Sequence, residues 1–299
     1  MSTLFKWAEI ARTPFVLRYE LLSEYLNSKG FKNEFTYLEV QPTEFEQQLQ
    51  LALKNYQALR LGTPYGTSSL SFFNCIPANI AYLNAADYVY KNSHWELGAA
   101  TLWGFEKLLN DQGQNINLDY SALIVGSGTA SRFAIHALIK IGIKHINISN
   151  QFSEQAKELI IELEKKYFGV QFEYVPDDEL VLLPGTNSVL VNTTPLIESN
   201  SILKELYYFN FLRADGLVVD FTFLPIKTPL ITEAEQIGLK AIRGYQVIAW
   251  GDIEWAKKFT TVPLDYQEYC DFIIAAEKKW SAEKEKSETG TPTENETRF

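Results

Sequence analysis

Apolar residues follow two alternating patterns along the chain, short continuous runs and longer stretches at helical spacing. The run at 122–125 is typical of a strand buried on both faces. The stretch 131–141 places its apolar residues on one helical face, and the glycine that follows predicts its end. Because further predicted strands at 143–149, 188–192 and 216–221 continue this alternation, the pattern predicts a doubly wound parallel sheet.

The first hundred residues show a similar alternation over shorter elements. Helical spacing at 15–29 and 44–54 alternates with apolar runs at 35–40 and 70–76, which predicts a small sheet with helices on its faces. The aromatic-rich segment 79–111 is predicted to be mostly helical.

The complete pattern predicts an α/β protein with two domains. We expect an N-terminal α/β substrate domain over 1–100, completed by the apolar-periodic helical segment 245–280. A Rossmann-type dinucleotide-binding domain is expected over 101–244. The segment 281–299 is polar, charged and unpatterned, which is typical of a disordered tail.

A glycine-rich turn joins the strand at 122–125 to the next helix, and it carries the first functional signal. Gly126 and Gly128 stand where the backbone must bend sharply and approach a ligand, and Ala130 is small enough for close packing of helix on sheet. The helix start supplies free N–H groups and a positive dipole end, which suit a pyrophosphate. A βαβ turn without a nucleotide is the open alternative, since the third fingerprint glycine is missing.

Charge and cysteine usage narrow the class of protein. The net charge of −10 argues against a nucleic-acid partner. No apolar run has the length of a membrane span, and the N-terminus lacks the apolar centre of a signal peptide, so we expect a cytoplasmic protein without a membrane partner. Two cysteines and three histidines without ligand spacing predict no metal site. The sequence does not fix the oligomeric state, and a homodimer is compatible with it.

Four segments in order resemble the shikimate dehydrogenase family. GSGTASR at 126–132 is similar to the family's GxGGAxR turn, and NTTPL at 192–196 is similar to its N-A-T-P-L-G segment. DFTFLPIKTPL at 220–230 follows D-x-x-Y-N-P-x-x-T-P-L, and Pro77 fits N-V-T-x-P-x-K. The resemblance implies the two-domain fold, and the family's activity is hydride transfer between NADP and shikimate.

The family's catalytic lysine and aspartate are not found where the resemblance places them. Counting from Pro77 puts the lysine position at Asn79, and counting back from Phe105 puts the aspartate position at Thr101. Neither side chain titrates near neutral pH, so neither serves as the usual general acid or base. The resemblance therefore leaves the catalytic residues of this chain unknown.

Substrate-holding positions change in the same direction. The resemblance places Thr13 at a family serine, Cys75 at a threonine, Phe223 at a tyrosine and Gly251 at a glutamine. Each polar substrate group left unpaired typically costs about 1–3 kcal/mol. We therefore expect poor binding of shikimate in a pocket formed by Thr13, Cys75, Asn79, Thr101, Phe223 and Gly251.

The cofactor side is better preserved. Asn150 and Gln151 stand where the family has the N-R of its N-R-T/S segment, so a 2′-phosphate loses its arginine. No acidic residue follows the strand to hold an NAD ribose, so NADP and NAD both stay candidates, with NAD mildly favoured. The expected cofactor-binding residues are Gly126, Ser127, Gly128, Thr129, Ala130, Asn150, Gln151, Thr193, Thr194 and Pro195.

Three functions compete on these residues. The first is a diverged or noncatalytic relative that keeps the dinucleotide-binding fold and binds a dinucleotide, a small molecule or both. The second is an active NAD(P)-dependent oxidoreductase on shikimate or on a less polar substrate, with Cys75, Trp103 and Phe223 lining an apolar pocket. The third is an ordinary shikimate dehydrogenase.

Overall fold

The computed structural model describes residues 4–113, 115–197 and 199–288. These residues form two sheets joined by helices. The first sheet has the strand order β2-β1-β3-β4-β5, in which the first three strands are parallel and the last two antiparallel. Its strands are β1 (Phe5–Ala11), β2 (Asn33–Glu39), β3 (Ala58–Leu61), β4 (Tyr88–Lys91) and β5 (Trp95–Gly98).

Five helices accompany the first sheet, and the last of them leads into the second. Short 3-10 turns lie at 42–44 and 69–72. The helices are α1 (Val16–Ser28), α2 (Phe45–Asn55), α3 (Tyr65–Ser68), α4 (Ala78–Leu83) and α5 (Ala100–Gln112).

The second sheet is entirely parallel, with the order β11-β10-β9-β6-β7-β8. This is the strand order of a doubly wound dinucleotide-binding fold, which confirms the predicted α/β class. The strands are β6 (Ser121–Val125), β7 (His145–Ser149), β8 (Gln171–Tyr174), β9 (Asn187–Asn192), β10 (Leu212–Asp220) and β11 (Lys240–Arg243). The helices are α6 (Thr129–Ile141), α7 (Ser153–Glu164), α8 (Ile202–Leu206) and α9 (Pro229–Gln236), with a 3-10 turn at 177–182.

Two further helices, α10 (Gly244–Ala256) and α11 (Tyr266–Glu288), return to the first sheet. Trp255 packs edge-on against Trp7 of β1 with ring centroids 5.0 Å apart, and Tyr269 packs on Tyr25 of α1 at 4.8 Å. These aromatic side chains are all buried. Helices α10 and α11 therefore share a core with β1 and α1.

Helices α5 and α10 touch backbone to backbone. A Cβ on Gly104 would lie 2.1 Å from the Val247 carbonyl oxygen, and a Cβ on Gly251 would lie 2.6 Å from that of Ala100. Because real Cβ atoms do not approach so closely, both positions need glycine for this contact. The pair joins the segment between the sheets to the returning helix.

Several predicted elements of the first half are wrong. The run at 70–76 is not a strand, because only its first residue, Leu70, is buried and the chain is a 3-10 turn followed by coil. The segment 79–111 is not one helical region, because Asn84 adopts a left-handed conformation that ends α4 and an antiparallel hairpin of β4 and β5 follows. The sequence reading also missed β1 and β3.

The C-terminal segment differs from the expected disorder over part of its length. Helix α11 continues to Glu288, so residues 281–288 are helical. The rest of the predicted tail, 289–299, lies outside the described residues. Among the described helices, including α11 with its 23 residues, none combines the length and apolar character that a membrane span requires.

Candidate functional site

The carboxyl ends of β6 and β9 meet at the glycine-rich turn. Gly126 has φ +110°, a conformation that favours glycine, and a Cβ there would lie 2.4 Å from the Thr193 hydroxyl oxygen. Thr193 is held in this place because its amide and its hydroxyl both donate to the Val125 carbonyl, at 2.9 and 2.8 Å. The predicted residues of the two strand ends therefore form one edge, at the point where the strand order reverses.

Gly128 is a glycine for a different reason. It precedes α6 with an extended backbone (φ −85°), and a Cβ built on it meets no atom within 4 Å. No side chain caps the start of α6. The protein itself does not require glycine here, and the open space lies at helix N–H groups and a positive dipole end. An anionic group from outside, such as a pyrophosphate, fits this cradle.

The end of β7 flanks the same turn. Asn150 is buried and its amide donates to the Ser127 hydroxyl at 2.7 Å, which fixes the turn against the neighbouring strand. Gln151 and Phe152 are exposed, with 56% of Phe152 accessible. Glu154 follows in the first turn of α7 and is paired with Lys157 at 2.9 Å. This side of the turn presents no arginine to a 2′-phosphate.

A polar network holds the ends of β9 and β10. Asn192 accepts from the amide and the hydroxyl of Thr194, at 3.1 and 2.7 Å, and donates to Asp220 at 3.1 Å. Asp220 also accepts from the Thr228 hydroxyl at 2.6 Å. Thr194 is thus fixed by the protein, while Pro195 beside it is exposed.

Arg132, one turn into α6, points away from the cradle. Its guanidinium donates to Glu162 at 2.7 Å, and Lys166 donates to the same carboxylate at 2.6 Å. Burial opposes the charge of Glu162, but these two partners lower its pKa to about 2. The cation belongs to a structural cluster between α6 and α7.

The carboxyl edge of the first sheet faces that of the second. Phe15, after β1, contacts the buried Phe223, after β10, with ring centroids 5.9 Å apart. Gly66, after β3, lies against Thr129, because a Cβ on Gly66 would be 2.2 Å from the Thr129 hydroxyl oxygen. The loops after β1, β3 and β10 therefore line the space between the two edges.

The predicted substrate residues fall into separate groups. Thr13 is exposed in the loop after β1, near the Phe15–Phe223 pair in sequence. Thr101 starts α5, and a Cβ on Gly251 would lie 3.3 Å from its amide nitrogen, so these two adjoin through backbone. Asp87 accepts from the amides of Ala100 and Thr101, both at 2.7 Å.

The other two predicted substrate residues lie on the connection between β3 and β4. Cys75 is exposed in coil, and Asn79 is exposed on α4, whose buried face carries Ile80 and Leu83. Within the described ranges, neither side chain forms a hydrogen bond with Thr13, Thr101 or Phe223. Their place in a common pocket stays a prediction.

Five charged side chains, Glu9, Arg18, Arg60, Asp87 and Asp252, form a buried charge cluster that the sequence reading missed. Arg18 donates to Asp252 at 2.6 and 3.3 Å. Arg60 lies 3.6 Å from both Asp87 and Asp252, and its Nε donates to the Tyr19 hydroxyl at 3.2 Å. Its Nη1 has no partner within the described residues.

Two surface cavities lie elsewhere on the second sheet. One of about 360 Å³ is lined by Val181, Glu205, Tyr208 and Asn210, and one of about 420 Å³ lies beside β7 and β8. Neither is lined by a predicted site residue. Over the described parts of the chain, no group of three or more His, Cys, Asp or Glu residues could hold a metal ion.

Shikimate dehydrogenases recur among the known proteins to which this chain is similar. No family model matches the chain. The shikimate dehydrogenase (NADP(+)) of Caldicellulosiruptor bescii is 28% identical over 197 residues, which are 64% of this chain and 65% of that protein. The enzyme of the same name from Saccharolobus solfataricus is 22% identical over 265 residues, 87% of this chain and 92% of that protein.

Solved structures extend the likeness across both sheets. Shikimate 5-dehydrogenase from Thermus thermophilus, in complex with shikimate, has a TM-score of 0.74 at 19% identity and covers 92% of this chain and 99% of its own. Quinate dehydrogenase from Corynebacterium glutamicum, in complex with NAD, has a TM-score of 0.77 at 16% identity and covers 91% and 99%. The chain is therefore similar in sequence to shikimate dehydrogenases, and the solved structures share its two-sheet fold.

In this shikimate dehydrogenase-like chain, the buried charge cluster has a recognisable sequence signal. Glu9 and Arg60 each interrupt an apolar strand and face each other in the register of β1 and β3. Asp252 interrupts an apolar helix in the same way. A charged residue within an apolar run indicates burial with a partner, and that rule would have found the cluster.

The carboxyl group of Glu9 is expected to make stability depend on pH. It is 4% exposed and accepts from the Phe15 amide at 2.7 Å. Burial raises its pKa from 4.5 to about 7, against the lowering effects of that amide, Arg18 and Arg60. The folded protein therefore holds this proton more tightly than the unfolded chain does.

The stabilisation from this protonated carboxyl is full below pH 4.5 and is lost as the pH rises through about 7. Urea unfolding should show about 3 kcal/mol of this loss in the wild type between pH 4.5 and pH 8, and Glu9→Gln should remove it. The other titrating groups are common to both proteins, so their contributions to the pH dependence cancel in the difference between the two. Equal pH slopes in both would contradict the assignment.

Proposed function

We propose that this shikimate dehydrogenase-like chain binds an NAD(P) dinucleotide but lacks shikimate:NADP oxidoreductase activity. The observation that carries the first half is the open, uncapped cradle at Gly128, at the start of α6. It suits a pyrophosphate for the electrostatic reasons given above. Solved neighbours with the same fold hold NAD in one case and NADP(H) in another, which supports the same ligand class here.

The proposed function divides between two domains, each built around one of the two sheets. Residues 101–244 form the dinucleotide-binding domain, and residues 1–100 with 245–280 form the substrate-type domain. The packing of Trp255 and Tyr269 on the first sheet supports assigning the returning helices to the N-terminal unit. A ligand between the units would contact the facing loops after β1, β3 and β10.

The second half of the proposal rests on missing acid and base groups. Placed on Pro77, the N-V-T-x-P-x-K motif puts its lysine at Asn79; placed on Pro64, which follows β3, it puts the lysine at Gly66. Neither placement supplies an amine. Thr101 does not titrate, and both oxygens of Asp87 already accept from the amides that open α5.

The dinucleotide favoured by the binding edge is NAD rather than NADP. Gln151 replaces the arginine that would clamp a 2′-phosphate. Glu154 follows in the first turn of α7, and its carboxylate, whose side chain is 80% exposed, offers a 2′-phosphate no cation. Lys157 is paired with it and supplies no unpaired cation.

An active oxidoreductase on a less polar substrate is the alternative, and the aromatic pair Phe15–Phe223 between the facing loops favours it. Phe15 is 44% exposed, and its ring meets Phe223 where the resemblance expects a tyrosine. An apolar substituent would lose less binding free energy beside these rings than a polyhydroxylated acid, whose hydroxyls would be left unpaired.

Titration with NADH, NAD, NADPH and NADP, followed by nicotinamide fluorescence and thermal shift, tests the proposal. We expect micromolar binding with NADH preferred over NADPH, and no oxidation of shikimate by NAD or NADP. The variant Gly128→Asp, which is expected not to bind the dinucleotide, gives the background rate. Shikimate turnover by the wild type well above that rate would overturn the proposal that the protein lacks this activity. No binding by any of the four would overturn the dinucleotide half. Hydride transfer to or from a less polar alcohol or ketone would favour the alternative.

A further inference from the structure

The β3–β4 connection, residues 62–87, runs from the first sheet across helix α6 of the second. It touches α6 at two places. Gly66 lies against Thr129 at the start of the helix, and Tyr82 packs against His136 further along. Seven residues separate Thr129 from His136, so the contacts are about 10 Å apart along the helix axis.

The contact between Gly66 and Thr129 leaves no space for a side chain on residue 66. A Cβ on Gly66 would lie 2.2 Å from Oγ1 and 2.8 Å from Cγ2 of Thr129. Gly66 is not among the glycines with positive φ, so backbone conformation does not explain it. Its carbonyl accepts from the Ala86 amide at 2.8 Å, which fixes it to the end of the same connection.

Three aromatic rings form the second contact. The Tyr82 ring lies 5.1 Å from that of Tyr167 and 6.1 Å from that of His136, and His136 Nδ1 is 2.9 Å from the Tyr167 hydroxyl. The Tyr82 hydroxyl donates to the Lys166 carbonyl at 2.8 Å. Tyr82 is 41% exposed, so it packs on α6 from outside and does not belong to the interior.

We propose that the β3–β4 connection positions the dinucleotide-binding turn, with Gly66 and Tyr82 as positioning residues that act through α6. Thr129 is the first residue of α6, so its amide has no partner inside the helix and borders the Gly128 cradle. A pyrophosphate that orders this amide also orders the Thr129 side chain against Gly66. By linkage, the contact with the first sheet strengthens binding to the same extent. The effect of these contacts on ligand affinity rests on the proposed dinucleotide binding.

Paired variants at the two contacts separate the effect of side-chain shape from the effect of the hydroxyl group. Thr129→Ala removes the side chain from Gly66, whereas Thr129→Val keeps its shape and loses only the hydroxyl. Tyr82→Ala removes the second contact, and Tyr82→Phe keeps the ring. Tyr37→Ala, a 51% exposed tyrosine on edge strand β2, is the matched control.

Hydrogen exchange of the ligand-free protein gives the first readout. We expect Tyr82→Ala to raise exchange at the start of α6, and Thr129→Ala to raise exchange at α4, each by at least about fivefold. Thr129→Val, Tyr82→Phe and Tyr37→Ala should stay within about twofold of the wild type. Loss of protection confined to the mutated contact would overturn the coupling.

The NADH dissociation constant gives the second readout. The contacts of Tyr82 described above are with His136, Tyr167 and Lys166, none of which is a predicted cofactor residue. A rise of about fivefold in Tyr82→Ala, restored by phenylalanine, therefore reports transmission through α6. An unchanged constant in Tyr82→Ala would overturn the inference. If the wild type binds no dinucleotide, the proposed function and this positioning role both fail, even where exchange shows the two contacts to be coupled.

Discussion

Gly128→Asp is expected to abolish dinucleotide binding without destabilising the protein. The residue precedes α6 in an extended conformation, and its missing side chain faces open space. Aspartate is a favoured residue at this position of a helix, so the free energy of unfolding should stay equal or rise by a few tenths of a kcal/mol. The same carboxylate would stand against the pyrophosphate, and like charges in contact cost several kcal/mol.

The expected loss of NADH affinity is more than about 100-fold, measured by fluorescence titration beside urea unfolding of the same samples. Gly128→Ser is the matched control, because it caps the helix without a charge. Serine should keep far more affinity than aspartate. Equal binding by the wild type and Gly128→Asp would place any dinucleotide elsewhere on the protein.

Asp252→Asn is expected to give the largest loss of stability of any conservative change considered. Asp252 is fully buried, receives two hydrogen bonds from Arg18, and lies 3.6 Å from Arg60. Burial opposes the charge of Arg18, but Asp252 holds the pKa of that guanidinium above its ordinary value. Removing the carboxylate leaves Arg18 and Arg60 buried with too little negative charge beside them.

The free energy of unfolding should fall by about 3–5 kcal/mol in Asp252→Asn, measured by urea denaturation. Asp111→Asn is the control of identical chemistry, since Asp111 pairs with Lys107 on the surface of α5 at 3.0 Å. That exposed pair should contribute at most about 1 kcal/mol. Losses of similar size at both sites would show that the buried charge cluster is no more important than a surface pair.

The second sheet was more predictable from sequence than the first. Strands β6, β9 and β10 each contain a continuous apolar stretch, because both faces of a parallel sheet are covered by helices. Strand β3 has only four residues, one of them Arg60, and β1 contains Glu9. A charge that is buried through a partner distant in sequence breaks the pattern on which the prediction depends.

The proximity of the candidate cofactor residues to one another was predictable because they follow strands directly. Gly126, Asn150 and Thr193 lie at neighbouring strand ends, and parallel strands bring those ends together. The substrate side depends on loops whose placement is set by tertiary packing. The resemblance predicts Pro77 as the motif proline, yet Pro77 opens the short helix α4, while Pro64 follows a sheet strand.

The close approach of helices α5 and α10 restricts what residue 251 can be. The resemblance aligns the family's substrate-binding glutamine with Gly251, where even a methyl group would collide with the Ala100 backbone. A glutamine at this position would have to separate the two helices before it could contact any ligand. A substrate contact from this position therefore cannot be introduced by one substitution without disturbing the joint between the two sheets.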